Sequence, residues 1–204
     1  MESKNSQNNF RAFDILGNIS LLKFPRNFKI SQKKKIAEKI LKEHKSIKTV
    51  LEKTGKFSGL LRKQKTKYLA GEKTKEVLYK ENGCVFRFNI DETYFSSRLS
   101  NERKEIAEKI RKNDGVLIMF AGVAPYSIVI ARNSSAKKVY SNEINREANK
   151  YAKFNAELNK VKDKIEFLPG NMKRIEIKLK NSNKKFDVIV MPRPQLKNSF
   201  LKEA

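Results

Sequence analysis

A chain of 204 residues with 39% hydrophobic content is long enough for one medium domain with a smaller companion, and two unequal domains are expected. Its 46 Lys and Arg against 22 Asp and Glu leave a formal net charge of +24, which points to a polyanionic partner. No apolar run approaches the ~18 residues of a membrane span, and residues 1–12 lack the apolar segment of a secretory signal. The lone Cys84 excludes an internal disulfide framework, and the lone His44 excludes a His-based metal site or triad.

Residues 1–12 are polar and read as a frayed tail. From Phe13 to Phe24 the pattern gives two short strands turning at Gly17-Asn18. Ser31 is the expected cap of a helix running to about His44, with Ile36, Ala37, Ile40 and Leu41 at helical spacing. Strand-like stretches follow at Thr49–Glu52, Lys67–Ala70, Glu76–Tyr79 and Cys84–Ile90, with Cys84 read as a packed strand residue. Residues 29–80 carry 17 Lys and Arg against 5 acids, so half of the net charge sits in a quarter of the chain. Any one of these lysines is ordinary solvated surface, but the bias of the segment favours phosphate contacts. Residues 13–92 are therefore assigned to a small α+β basic RNA-binding domain.

Strand and helix alternate from there, across residues 93–204. A helix from Arg98 to Arg111 leads into the apolar strand Val116–Phe120, and a helix after Pro125 runs to Arg132. Strand Lys138–Asn142, helix Arg146–Asn159, strand Lys164–Leu168, helix Asn171–Leu179, strand Phe186–Met191 and a final helix from about Gln195 complete the chain. Apolar β runs separated by helices predict a parallel, doubly wound sheet covered on both faces. In such a sheet a ligand sits at the carboxyl ends of the strands, here at the loop Phe120-Ala121-Gly122-Val123-Ala124-Pro125. Gly122 permits close backbone approach, and Pro125 suits the first turn of a helix. Glu143 ends the next strand about 20 residues on, where a carboxylate bonds ribose hydroxyls; the plainer alternative is a helix N-terminal cap. An adenosine-containing ligand follows. No Gly-x-Gly-x-x-Gly cradle is present, which disfavours NAD and favours S-adenosylmethionine, a ligand without phosphates.

The blocks Val116-Leu117-Ile118-Met119-Phe120-Ala121-Gly122-Val123-Ala124-Pro125-Tyr126, Glu143-Ile144-Asn145 and Met191-Pro192-Arg193-Pro194 resemble the archaeal tRNA (guanine-37 N1)-methyltransferases, in the branch that also acts on the wyosine precursor. Upstream, the stretch Phe13–Ile19, Arg62, Tyr68–Glu72, Glu81–Cys84 and Tyr94–Arg103 are similar to the same family's tRNA-binding and linker blocks in the same order. The resemblance implies a Rossmann-like class I methyltransferase sheet behind a small tRNA-binding domain, S-adenosylmethionine as cofactor with Mg²⁺ a second candidate, the tRNA anticodon stem-loop as partner, and a cytoplasmic setting. Phe120, Ala121, Gly122, Val123, Glu143, Ile144, Asn171 and Met191 then form the cofactor set. Glu102 is the expected base for the guanine N1 proton. Arg98 and Arg62 are cations for the developing O6 charge or for phosphate, and Tyr94, Arg98, Pro192 and Pro194 are substrate contacts. From spacing alone, Arg98 and Glu102 read first as a surface i,i+4 ion pair, and it is the resemblance that favours the catalytic reading.

Three departures bear on this expectation. Met191 replaces the side-chain amide that many base methyltransferases place after strand four, which leaves recognition there to backbone groups. Asn171 stands where an aspartate usually meets the adenine amino group. The resembled family continues past the helix in which Ala204 falls, so an incomplete sheet is expected, with self-association or a complementing chain at its open edge. Two other functions compete: transfer of the cofactor's aminocarboxypropyl arm in the wyosine pathway, and non-catalytic tRNA binding. Arg98 after Phe95-Ser96-Ser97 argues against the first, whose block resembles Phe-Ser-Ser-Gly-Asn.

Overall fold

The computed structural model describes residues 13–55 and 58–192. The expected tail at 1–12, the contacts of Arg193 and Pro194 and the last helix lie outside the described residues.

Strands β1 (Phe13–Leu16) and β2 (Ile19–Leu22) pair antiparallel about Gly17-Asn18. Gly17 has φ 58°, and a Cβ there would overlap the Leu78 carbonyl, so the turn admits no side chain. Helix α1 (Ile30–Glu43) buries Ala37 and Ile40. Ser31 is not its cap: the helix begins at Ile30, and Gln32 Oε1 accepts the Lys29 backbone N–H at 2.9 Å, closing the first turn ahead of the serine. After α1 the chain returns as β3 (Thr49–Lys53), parallel to β2, and β4 (Thr66–Gly71) pairs antiparallel with β3. The sheet order is β1-β2-β3-β4.

Strands β5 (Glu76–Glu81) and β6 (Cys84–Asn89) form a separate hairpin. Asn18 docks it to the first sheet, accepting the Leu78 N–H at 2.7 Å. The expected helix 98–111 is divided into a 3-10 turn (Ser97–Leu99) and α2 (Ser100–Lys109). The Ser96 carbonyl, which a continuous helix would offer to the Ser100 N–H, accepts instead from Arg103 Nη2 at 2.9 Å, and Ser100 N–H turns to Ser97.

Then come β7 (Gly115–Ile118), α3 (Pro125–Asn133), β8 (Lys138–Glu143), α4 (Arg146–Leu158), β9 (Ile165–Pro169), α5 (Met172–Asn181) and β10 (Val188–Val190). All four strands are parallel in the order β10-β7-β8-β9. The chain steps outward from β7 to β9 and then crosses to the far side of β7, so the strand order reverses between β7 and β10 while all strands stay parallel. Ligands bind at such a switch point in open α/β sheets. Helices α3 and α4 pack on one face through Ile128, Ile130, Ala148 and Ala152, and α5 on the other through Met172, Ile175 and Leu179. Strand β7 ends two residues before Phe120, whose φ of 58° turns the backbone out of the ladder.

Helix α4 also takes a role that periodicity does not announce. Asn155 accepts the Arg87 N–H at 2.8 Å and donates to the Arg87 carbonyl at 3.0 Å. One turn later Asn159 does the same for Val85, at 2.8 and 2.7 Å. Two side-chain amides thus act as a surrogate strand along the outer edge of β6, satisfying backbone groups that an edge would leave open. The hairpin is thereby fixed to the sheet that carries the loop at Phe120–Ala124.

Candidate functional site

The loop after β7 is folded by three left-handed residues in alternation, Phe120 (φ 58°), Gly122 (φ 60°) and Ala124 (φ 65°). Its backbone is held from the neighbouring strand: Ala121 N–H donates to the Asn142 carbonyl at 2.7 Å, and Gly122 N–H to Glu143 Oε2 at 2.7 Å. The other carboxylate oxygen, Oε1, accepts the Asn145 N–H at 2.7 Å. Glu143 therefore ties together the loops that follow β7 and β8. Capping of α4 falls to Asn145, whose side chain accepts from Glu147 N–H at 3.0 Å, so the capping alternative for Glu143 does not hold. Ala121 and Val123 turn their side chains into the core and offer the site only backbone.

Above this loop lies a cleft lined by Arg62, Tyr94, Phe120, Gly122, Glu143, Ile144 and Pro192, together with Leu60, Leu61, Asn145 and Ala148. The Arg62 guanidinium lies 4.5 Å from the Tyr94 ring centroid, a cation–π contact that joins the basic unit to the wall of this cleft. A Cβ at Gly122 would stand 3.3 Å from the Tyr94 carbonyl oxygen, so the loop backbone and the linker approach closely there. The cradle of left-handed backbone and the carboxylate at the end of β8 suit an adenosyl group with a ribose and no phosphate.

Glu102 sits outside this cleft, on the first turn of α2, in a groove with Met191 and Pro192 along β10. Pro192 lines both spaces. Glu102 Oε1 accepts a short hydrogen bond from the Tyr126 hydroxyl, on the first turn of α3 directly after the cofactor loop. Burial, and then the bond to Glu102, push the Tyr126 phenol above the ordinary tyrosine range, so it remains a donor. Beneath it, Arg103 is buried, with its guanidinium 5.3 Å from the Tyr126 and Phe95 ring centroids. Its Nε and Nη2 grip the Glu81 carboxylate at 2.5 and 2.7 Å. Arg103 thus ties the hairpin to the floor under Glu102.

Among the described residues Arg98 forms no ion pair with Glu102; it lies at the mouth of a second cleft, on whose wall Tyr94 also appears. Asn171 caps α5 by accepting the Lys173 N–H at 3.0 Å and does not line the cofactor cleft. Met191 belongs to the Glu102 groove and not to that cleft. Among the described residues no group of three or more His, Cys, Asp or Glu could hold a metal ion, and no helix is long and apolar enough to cross a membrane.

Residues 77–204 match the TRM5/TYW2 methyltransferase domain, and residues 1–74 match the TYW2 N-terminal domain. The chain belongs to the TRM5/TYW2 methyltransferase family. Its sequence is 45% identical over 150 residues to the tRNA (guanine(37)-N(1))/4-demethylwyosine(37)-methyltransferase Taw22 of Nanoarchaeum equitans, covering 74% of this chain and 49% of that protein. It is 35% identical over 193 residues to the tRNA (guanine(37)-N(1))-methyltransferase Trm5b of Pyrococcus abyssi, covering 95% of this chain and 55% of the relative. The structure of aTrm5 with tRNALeu superposes with a TM-score of 0.81 at 30% identity, over 95% of this chain and 55% of that one. The chain spans about half the length of the curated relatives it matches. The TRM5/TYW2 methyltransferase domain match begins one residue into β5, so the hairpin falls within it, in keeping with its asparagine bonds to α4.

In this family frame, the sequence-predicted residues Arg62, Tyr94, Phe120, Gly122, Glu143, Ile144 and Pro192 converge on one cleft. Arg98, Asn171, Glu102 and Met191 stand outside it. Tyr126, Arg103 and Glu81 were not anticipated. The signal available for Arg103 was its place one residue after Glu102, on the inward face with Ala107.

Proposed function

We propose that this chain methylates a tRNA base from S-adenosylmethionine, at N1 of guanosine 37, with the wyosine precursor at the same position as its second substrate. The observation that carries this is the convergence of Arg62, Tyr94 and Glu143 on the cofactor cleft, with Glu102 held beside it across Pro192. When bound, S-adenosylmethionine supplies an electrophilic methyl group. Glu143 and the loop from Phe120 to Ala124 orient the ribose and the adenosyl moiety. Tyr94 stacks against the unstacked base. Glu102 Oε2, the oxygen not engaged by Tyr126, takes the proton from guanine N1. Arg62 faces the charge that then develops on O6, which leaves Arg98 to the RNA backbone. Any Mg²⁺ requirement is assigned to the RNA, and the setting is the cytoplasm, where tRNA is available.

The names of the relatives support methyl transfer, and a relative's structure with tRNALeu supports an RNA substrate. The match of residues 1–74 to a TYW2 N-terminal domain favours keeping the aminocarboxypropyl reading as a second arm of the test. Parallel incubations of tRNA with methyl-labelled and carboxyl-labelled S-adenosylmethionine separate them. Methyl label alone entering tRNA is the expected result, and carboxyl label entering tRNA would overturn it. Glu102→Gln should lower turnover by about 100-fold or more with tRNA affinity nearly unchanged; equal turnover would remove Glu102 from the mechanism.

A further inference from the structure

The second cleft, about 1090 Å³ with its open mouth included, lies between β1, β2 and the linker at 93–98. Leu16, Leu21, Phe88, Ile90 and Phe95 give it apolar and aromatic walls, and it shares Tyr94 with the cofactor cleft. Gln64 lines it. That residue is only 5% exposed, yet its side-chain amide makes no hydrogen bond with any described residue. The amide is not sealed among protein atoms but opens to the cleft, where it offers an occupant both a donor and an acceptor. Of the neighbouring groups, Thr93 Oγ1 donates to the Asn89 carbonyl at 2.8 Å, and the Ser96 carbonyl accepts from Arg103. At the mouth Lys53 pairs with Asp14, whereas the exposed Arg98 guanidinium has no partner among the described residues.

Apolar walls, one donor–acceptor amide in the floor and one cation at the rim fit a nucleobase with its phosphate outside. Since Tyr94 is the wall common to both clefts, the occupant adjoins the base in the cofactor cleft. We propose that this cleft receives the unstacked nucleotide next to the target base, with the Gln64 amide on its base edge and Arg98 on its phosphate. The inference rests on the tRNA reading above and adds a second base contact to it.

The test is binding of an anticodon stem-loop RNA to the full chain and to Gln64→Leu, across a salt series. Affinity should fall about fivefold to tenfold, as for loss of one or two hydrogen bonds, with the salt slope unchanged because the amide meets no phosphate. Arg98→Gln should reduce that slope by about one. An abasic site at one nucleotide flanking the target should weaken binding to the wild type and abolish the effect of Gln64→Leu. Thermal stability of Gln64→Leu should equal or exceed that of the wild type, and S-adenosylmethionine affinity should not change. Equal RNA affinity for Gln64→Leu, indifference to abasic sites on both flanks, or a clear fall in its Tm would each overturn the proposal. A wild-type chain that binds no stem-loop would overturn both this inference and the tRNA reading, whereas binding without a Gln64 effect overturns the inference alone.

Discussion

Replacing Arg103 with methionine would leave the Glu81 carboxylate buried without its counter-ion. The two side chains are 1% and 3% exposed. The substitution removes two charge-assisted bonds to Glu81 and a third to the Ser96 carbonyl. Breaking one member of such a pair costs about 3–5 kcal/mol, because the remaining charge keeps its desolvation penalty. For a chain of this size that corresponds to a fall in Tm of roughly 10 °C. Converting Glu81 to leucine in the same chain should restore most of the loss, since a well-packed apolar pair carries no such penalty. The chain has no tryptophan, so unfolding in urea is best followed by circular dichroism, for the wild type, both single variants and the double. A cost below ~1 kcal/mol for Arg103→Met, or a double variant no more stable than either single one, would refute the argument that this pair is a desolvated, mutually dependent unit.

Other expected outcomes come from the same geometry. Asn155→Leu orphans the Arg87 N–H and carbonyl and should cost about 2–3 kcal/mol; hydrogen exchange at Arg87 should accelerate while the β5–β6 ladder stays protected, and unchanged exchange would contradict the surrogate-strand role. Gly122→Ala places a methyl group against the Tyr94 carbonyl at a left-handed residue. S-adenosylmethionine affinity, read by equilibrium dialysis, should fall about tenfold, a penalty of about 1.4 kcal/mol, while the fold is retained; equal affinity would separate the loop from cofactor binding. Burial pushes the Cys84 thiol up to about 11 from 9.0. The folded state therefore favours the protonated thiol, and its contribution is constant below pH 9 and lost as pH rises toward 11, at about 1.4 kcal/mol per unit. The stability difference between wild type and Cys84→Ala should be flat below pH 9 and shrink above it; a flat difference throughout would contradict the assignment.

The βα alternation was legible because β7 and β10 are apolar runs and the helices between strands keep inward spacing; Val116–Ile118 and Ala148, Ala152, Ala156 are examples. The Gly17-Asn18 turn was legible from local chemistry alone. Glu143 does stand at the end of β8, as its spacing suggested, whereas its two bonds to loop backbone are tertiary and no spacing announces them. What sequence order could not separate is direction. Glu102 and Arg103 are adjacent, but one faces outward beside Tyr126 and the other is sealed under it, and only the packing of α2 on α3 decides which. Arg62 and Arg98 were interchangeable as cations until the two clefts divided them. Ser31 looked like a helix cap because serine favours that position, whereas the glutamine one residue later closed the turn first. Asn171 does cap α5, and that bond turns its side-chain oxygen to the Lys173 amide rather than to the cofactor cleft. No local spacing marks Asn155 in the last turn of α4 or Asn159 at its C-terminal cap, because their partners on β6 are about 70 residues away in sequence.

The most direct test is to incubate the 204-residue chain with a tRNA transcript and methyl-labelled S-adenosylmethionine, digest the RNA to nucleosides, and locate the label. The account predicts label in 1-methylguanosine, lost when guanosine 37 is replaced by adenosine. Label in any other nucleoside of that transcript, or a chain that binds both tRNA and S-adenosylmethionine yet transfers nothing, would contradict it.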